Sequence, residues 1–564
     1  MTAATPTAVA LPSATTTAVP LPAARAAAIS WNFGDLFDAL DLALAPRTAL
    51  IHGDLIRTWG EFGARSNRLA RALLERGLRP GDKVAFFLRN SPAYLELFAA
   101  CVKARLVHVN VNYRYVEAEL DHVLRSCDAR AVVFDTEFVP QIEALRGGLP
   151  HDTVFAVVGG EDDSASPAAH DTRAWSFERL CTEGDPGPLQ IARSGDDLYF
   201  QCTGGTTGMP KAVMWRQHDR ISLFGMARGD NARDHAESVA TRSNHPVVVP
   251  ACPLMHSTGL TTALLTLCAG GAVVTLTDHR FDPTELLTTI DRRNVTSVAI
   301  VGDAFGRPIL DALQRDSASF SLQSVTSISS AGVMWSAECK QELLRYFTQA
   351  TLRDSLGSSE GSGLAAMETR PGAAAETGAF ALGEGVKVFT DDLREVEPGS
   401  GELGRIAKSG FIPLGYYRDE TKTAETFPTI DGVRYAVPGD WCRVEADGTI
   451  RLIGRGSTCI NTGGEKVFPE EVETALCRLH GVVDALVIGV PDDRWGEVVV
   501  AVVQRESAAD VGAEYLRSQL RQHLASYKVP KLLCFIEAVP RAASGKADYA
   551  GARRYVERHG LDHT

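Results

Sequence analysis

The stretch QCTGGTTGMPKAV, Gln201 to Val213, packs three glycines and four hydroxyl or thiol residues into thirteen positions, with Pro210 and Lys211 near its end. Short apolar segments, DLYFQC before it and AVMW after it, mark it as a loop between strands. Its glycines let the backbone adopt positive φ and approach a ligand closely. Thr203, Thr206 and Thr207 supply donors and Lys211 a cation, a set that suits polyphosphate. The Walker pattern does not apply, because no Gly-Lys-Ser/Thr closes the loop onto a helix. By composition alone, such a loop is more often an ordinary turn than a phosphate site.

The surrounding chain sets bounds on that ligand. At 564 residues it exceeds what one hydrophobic core serves, which predicts two or more domains, one large and one small. Hydrophobic content of 45% and charged content of 23% are those of a globular protein. A net charge of -13 argues against a general nucleic-acid binder, whose affinity rests on Lys and Arg. The 11 cysteines are scattered without a C-x-x-C pair, so neither a disulfide framework nor a zinc ribbon is expected. Reduced thiols and a cytoplasmic location are the expectation. No run of about 18 uncharged apolar residues is present, and no integral membrane association is expected.

Residues 1–28, rich in Ala, Thr and Pro, read as a disordered tail without the basic start of a signal peptide. A helical pattern then places Leu69, Leu73 and Leu74 on one face, followed by a strand from Lys83 to Leu88. β-Rich runs, RAVVFD from Arg130, TVFAVVG from Thr153, GAVVTLT from Gly271 and SVAIV from Ser297, alternate with helices such as PTELLTTIDRR, predicting parallel sheets covered by helices. Beyond DGTIRLIGRGS the texture shifts to a shorter α+β pattern. VVDALVIGV and EVVVAVVQRE read as strands, and Leu516, Leu520 and Leu524 as one helix face. The expected division is residues 29–456 and 457–564, with the boundary near Ser457.

TGGTTGMPK resembles the phosphate-loop signature of the adenylate-forming superfamily, which includes acyl-CoA synthetases, luciferases and peptide-synthetase adenylation domains. Further segments stand in the family's order: PLMHSTG at Pro253, SLGSSEG, GELGRIAKSG, GYYRDETKTAETF, PGDWCRVEADGTIRLIGRG, NTGGEKVFPEEVE and PRAASGKAD. The resemblance runs from about residue 30 to residue 550. It implies an α/β fold, a large N-terminal domain of layered sheets and helices with a small mobile α+β C-terminal domain.

Residue by residue, the resemblance implies a phosphate cradle of Thr203, Gly204, Gly205, Thr206, Thr207, Gly208 and Lys211. Glu360 would hold Mg²⁺ against ATP, and Ser359 stands where many members have Thr. Ala331, Gly332, Leu356, Gly357 and Ser358 would face the nucleotide, with Leu356 replacing the aromatic residue usually stacked on adenine. Asp440 would accept both ribose hydroxyls, which suits an acceptor-only group, with Arg455 near the same sugar. His256 would lie between acyl pocket and nucleotide. Gly463, Gly464 and Lys466 would line the path of coenzyme A, and Lys546 would be the adenylation lysine. Met255, Ser257, Gly259, Asp303 and Phe305 are expected near the acyl group; Asp303 either meets a polar substrate group or is a solvated turn residue.

The implied reaction joins a carboxylic acid to ATP as acyl-AMP and passes the acyl group to coenzyme A. Rotation of the small domain, with its hinge at Ser457, would exchange Lys546 for the Gly463–Lys466 segment between the two steps. VGDAF from Val301, KAVMWRQ and GRGSTCINTGGEKVFPEEVE look closest to actinobacterial ligases for fatty acids and sterol side-chain acids. The alternatives are an enzyme loading a separate carrier protein, a luciferase-like oxygenase, and a nonenzymatic acyl-nucleotide sensor. A homodimer stays open.

Overall fold

The computed structural model describes residues 30–159, 174–204, 209–332, 335–376, 379–455, 460–467, 469–506, 511–540 and 548–559. The expected tail, the loop residues 205–208, the boundary at Ser457 and Lys546 lie outside them. Within the described residues the fold is α/β, with two large sheets and a smaller C-terminal one. The alternating runs of the sequence become parallel strands. Lys83–Phe87, Val107–Asn110, Ala129–Asp135 and Val154–Val158 pair in parallel within an eight-stranded sheet. Leu198–Gly204 joins its parallel part and then turns back antiparallel into Pro210–Arg216.

A thirteen-stranded sheet has a parallel centre of Val247–Pro250, Ala272–Thr275, Ser297–Ile300, Ser327–Ala331 and Thr351–Leu356. It continues antiparallel through Ala365–Thr369 and Ala379–Leu382 to the hairpin Asp440–Val444 and Ile450–Arg455. The five-stranded C-terminal sheet is built on the hairpin of Val482–Asp492 with Gly496–Arg505, and Leu532–Ile536 lies parallel to the second arm.

Local sequence explains where elements start and stop. The helix Trp59–Glu75 opens on a capping box, Thr58 with Glu61, and buries Leu69 and Leu73 while Leu74 packs on the edge of the same core. Pro283–Arg293 has Asp282 as N-cap, Pro283 in the first turn and Asn294 left-handed at its end. The leucine pattern of the small domain is cut short: the helix Ala513–Leu520 stops four residues before Leu524. The N–H groups of Gln522 and His523 reach back only three residues, and the tightened chain carries Ala525 into the core of the eight-stranded sheet, so docking overrides the helical period. Leu524 is buried all the same.

One helix separates the two layers. Ser257–Cys268 buries Leu260, Ala263, Leu264 and Leu267 in the core shared with the helices Phe33–Ala43, Trp59–Glu75 and Pro92–Lys103. Its other face looks across a cleft. Among the described residues, no helix is long and apolar enough to cross a membrane.

The small domain is fastened by a buried charge cluster. Lys528 Nζ contacts Glu119 Oε1 at 2.5 Å, on the large domain, and Glu471 Oε1 at 2.7 Å. Burial and the neighbouring Glu119 push Glu471 up to about 7, against the pull of Lys528. A carboxyl with a raised native pKa binds more protons when folded than when unfolded, so its contribution to stability falls as pH rises from about 4.5 to about 7 and is flat above that window. Glu471→Gln is therefore expected to flatten the pH dependence of the denaturation midpoint across that window. Lys528→Met leaves two buried carboxylates facing each other and should cost about 3–5 kcal/mol. Denaturant titration at pH 8 checks it, and adding Glu119→Gln and Glu471→Gln should restore most of the loss.

Candidate active site

The hairpin that carries the glycine loop sets Thr203 directly across from Lys211, with Gly204 across from Pro210. Lys211 Nζ pairs with the Asp419 carboxylate, and that pairing, with the Lys422 backbone N–H, holds Asp419 below the ordinary carboxylate range. Asp419 also caps the helix Glu420–Thr426. The short strand Gly415–Tyr416 pairs with the hairpin at Met214 and Val213, which brings the Tyr416 ring under Lys211. The Tyr416 hydroxyl donates to Glu360 Oε1 at 2.9 Å. Two separate sequence motifs thus meet at one cation and one carboxylate.

The loop bearing Glu360 is fixed from beneath. Trp215 Nε1 donates to the Ser359 carbonyl at 2.9 Å, and the Ser358 hydroxyl accepts from Gly361 N–H at 3.0 Å. Arg220, fully buried, donates to Ser362 at 2.5 Å, to Thr261 at 2.5 Å and to Ser257 at 3.0 Å. Its guanidinium ties the start of the helix Ser257–Cys268 to Ser362, the residue that follows the SLGSSEG segment, through hydroxyls, and burial lowers its pKa.

These parts open on a cleft of about 750 Å³. Thr203, Ala331, Gly332, Leu356, Gly357, Ser358 and Ser359 line it, as do Met255, His256 and Ser257. Asp440 is buried at the start of its strand, paired in register with Arg455. Of the other residues expected near an acyl group, Gly259 packs into the helix start, where a Cβ would lie 2.3 Å from the Pro253 carbonyl. Asp303 is neither a pocket group nor a solvated turn: it accepts from the Ser336 N–H at 3.0 Å and hydroxyl at 2.7 Å and pairs with Arg307. The VGDAF segment starts the helix Gly302–Asp316, and Phe305 packs against the tilted ring of Phe281, centroids 4.6 Å apart, in a second cavity.

That second cavity is a groove of about 1300 Å³ between the domains, and its edges carry Arg89, Arg114, Arg280 and Arg494. The turn Gly463–Gly464 stands where groove and cleft meet, lining the groove with both residues and the cleft with Gly464. Gly464 has φ +83°, and a Cβ there would sit 2.8 Å from Val301 Cγ1, so only glycine fits. Glu465 follows, with a 6% exposed side chain, and accepts from His256 Nε2 at 3.1 Å, Arg114 at 3.3 Å and Asn112 at 3.5 Å. Burial alone would raise its pKa, yet His256, Arg114 and Lys528 together hold it below the usual range.

Sequence reasoning passed over Glu465, Tyr416, Asp419 and Arg220. The first three lie inside the quoted motifs, in NTGGEK and GYYRDE, where a charged or phenolic residue amid glycines was the available signal. Arg220 carries none, since its hydroxyl partners are 37 to 142 positions away.

Residues 43–417 match the AMP-binding enzyme family, and residues 471–546 match the AMP-binding enzyme C-terminal domain. The chain belongs to that family. Among AMP-binding enzymes, the medium/long-chain-fatty-acid–CoA/3-oxocholest-4-en-26-oate–CoA ligase of Mycobacterium marinum is 37% identical over 95% of this chain and 98% of its own. The 3-oxocholest-4-en-26-oate–CoA ligase of Rhodococcus rhodochrous is 36% identical over 93% of this chain and 95% of its own. In fold, the amide bond synthetase of Marinactinospora thermotolerans superposes with a TM-score of 0.77 at 22% identity, covering 93% of this chain and 99% of that one.

The docked turn yields a direct test. A hydrogen bond to a charged group contributes about 1.5–3 kcal/mol, so Glu465→Gln is expected to speed hydrogen–deuterium exchange of residues 460–467 about tenfold or more. Exchange as slow as in the wild type would show that the turn does not depend on this carboxylate.

Proposed function

We propose that the chain is an AMP-forming acyl-CoA ligase, which activates a medium- or long-chain or bulky sterol-derived carboxylic acid as acyl-AMP and transfers the acyl group to coenzyme A. The observation that carries this is the Gly463–Gly464 turn at the junction of a cleft and an arginine-edged groove. A thiol arriving along the groove would reach the inner end of the cleft there. The named activities of the mycobacterial and rhodococcal relatives support the same reading. The limits 29–456 and 457–564 belong to this proposal as the two bodies that exchange positions.

In the first step a carboxylate oxygen bonds to the α-phosphorus of ATP, and the bond to pyrophosphate breaks. Both reactants are anions, so the site has to supply positive charge where charge develops. Lys211, with the loop from Thr203 to Gly208, would cradle the phosphates, and Asp440 would accept the ribose hydroxyls. One oxygen of Glu360 accepts from Tyr416; the other meets no protein donor among the described residues. Such a single carboxylate suits Mg²⁺, which fills most of its positions with water and phosphate oxygens. Held by Glu360, the ion would offset phosphate charge. Lys546 would act in this step.

In the second step the thiol sulfur bonds to the acyl carbon, and AMP leaves. His256, oriented by Glu465, stands at that point. Arg280 and Arg494 are exposed at the groove edge and have no carboxylate partner among the described residues, with Arg494 lying 4.8 Å over the Trp495 ring. Cations and an aromatic face suit the phosphates and adenine of coenzyme A, which favours it over a carrier-borne thiol.

Incubation with ATP, Mg²⁺, coenzyme A and a panel of acids should give AMP and an acyl-CoA by mass spectrometry; AMP without thioester would turn the assignment to carrier loading. Lys546→Ala should abolish adenylation while sparing thioester formation from preformed acyl-AMP. The double variant Arg280→Ala/Arg494→Ala should raise KM for coenzyme A about tenfold, as expected for two screened contacts of up to about 1 kcal/mol each. The KM for ATP should stay unchanged.

A further inference from the structure

The cleft has walls unlike those of a channel for a plain hydrocarbon chain. The helix Ser257–Cys268 gives Leu260, Leu264 and Leu267 to the core, while Thr258, Thr261, Thr262 and Thr266 face the cleft, with Leu265 among them. Threonine is a weak helix former in a helix interior. An apolar ligand would be met as well by valine or alanine. Across the cleft, adjacent parallel strands present Ser297 beside Ser327, then Ser329, then Ser355. The alternate residues Val298, Ile328 and Leu352 point to the opposite face and fill the core. The serines thus lie on the ligand side of the sheet, beside Val248 and beside Arg353, which pairs with Glu368.

These hydroxyls are available. Thr266 bonds the Thr262 carbonyl of its own helix, and Thr261 accepts from Arg220. Thr258, Thr262, Ser297, Ser327, Ser329 and Ser355 make no side-chain hydrogen bond within the described residues, and none is a fully enclosed unsatisfied group. They face the cleft solvent. A saturated chain would displace that solvent and leave donors unpaired, whereas a ligand with its own oxygens would replace it. One row of the floor is built of small residues: Ala331, Ser355, Ala366 and Ala381 are register neighbours across four adjacent strands, while Phe224, Leu356 and Leu382 are larger side chains that also line the cleft.

We infer that the acid this cleft selects has a broad, rigid body carrying hydroxyl or keto oxygens along its length, rather than a saturated fatty chain. The inference rests on the acyl-CoA ligase reading and adds the polarity of the substrate body to it. A site built to hydrogen-bond substrate oxygens rejects the analogue that lacks them, because its own groups are then left unpaired. Wet walls reduce that discrimination, so an effect of at least about tenfold is expected rather than the roughly ten-thousandfold or more of enclosed sites.

The test is a matched pair on one skeleton, cholic acid with three hydroxyls against 5β-cholanic acid with none, with palmitate as the chain reference, each below its micelle concentration. Thioester formation is followed by mass spectrometry. The expected result is kcat/KM for cholate at least about tenfold above that for cholanate and palmitate, with the ratio falling toward one in Thr262→Val and Ser329→Ala. The near-isosteric change at Thr262 removes a hydroxyl and leaves the volume. Cholanate or palmitate used as well as cholate would overturn the inference and leave the ligase reading standing, and a ratio unchanged in both variants would overturn the assignment to these walls. No pyrophosphate or thioester from any of the three acids, nor from the wider panel, would sink both.

Discussion

A single buried carboxylate fixes the relation between the two halves of this molecule. Glu465 comes from the small domain, and its partners, His256, Arg114 and Asn112, all belong to the large one. A carboxylate with so little exposure is stable only among donors and cations, and His256, Arg114 and Lys528 hold it below the usual carboxylate range. The position of the Gly463–Gly464 turn, and with it the junction of cleft and groove, follows from that requirement. Lys528 repeats the device a short distance away with the opposite sign, a buried ammonium between carboxylates of both domains. Interfaces held by such clusters have a defined geometry, because a small shift leaves a charge unpaired.

The chemistry proposed for the site uses the same economy. The glycine loop, the Glu360 loop and the Asp419 corner come from three stretches of sequence, and the Lys211 ammonium and Tyr416 ring hold them together. Asp419 keeps Lys211 oriented while no phosphate is bound, and an incoming anion would compete for the same cation. Arg220 fixes the neighbouring loops through neutral hydroxyls, adding no carboxylate to Asp419 and Glu360.

Much of the fold was legible because the parallel strands are continuous apolar runs and the helices between them keep strict periodicity. The hairpin around the glycine loop was readable from two apolar segments alone. Leu524 shows the limit: it fits the period of its helix, but the chain leaves to dock on the other domain, a long-range contact that no local pattern encodes. Asp303 shows another. Its proximity to the cleft in sequence suggested a ligand-facing group, whereas Ser336, 33 residues on, takes its carboxylate. The quoted motifs carried most residues of the candidate site, and the supporting shell of Arg220, Tyr416 and Asp419 needed coordinates.

The helix Ser257–Cys268 divides its labour between two stripes, leucines for the core and threonines for the cleft. Mutations on the two stripes therefore have separable effects. A change at Leu260, Leu264 or Leu267 is penalised through stability whatever the ligand, while a change at Thr258, Thr262 or Leu265 alters the wall and leaves the packing beneath it intact. Ligand preference on this scaffold can drift by single substitutions without passing through an unfolded intermediate, which makes this helix a short evolutionary path between enzymes of different diet.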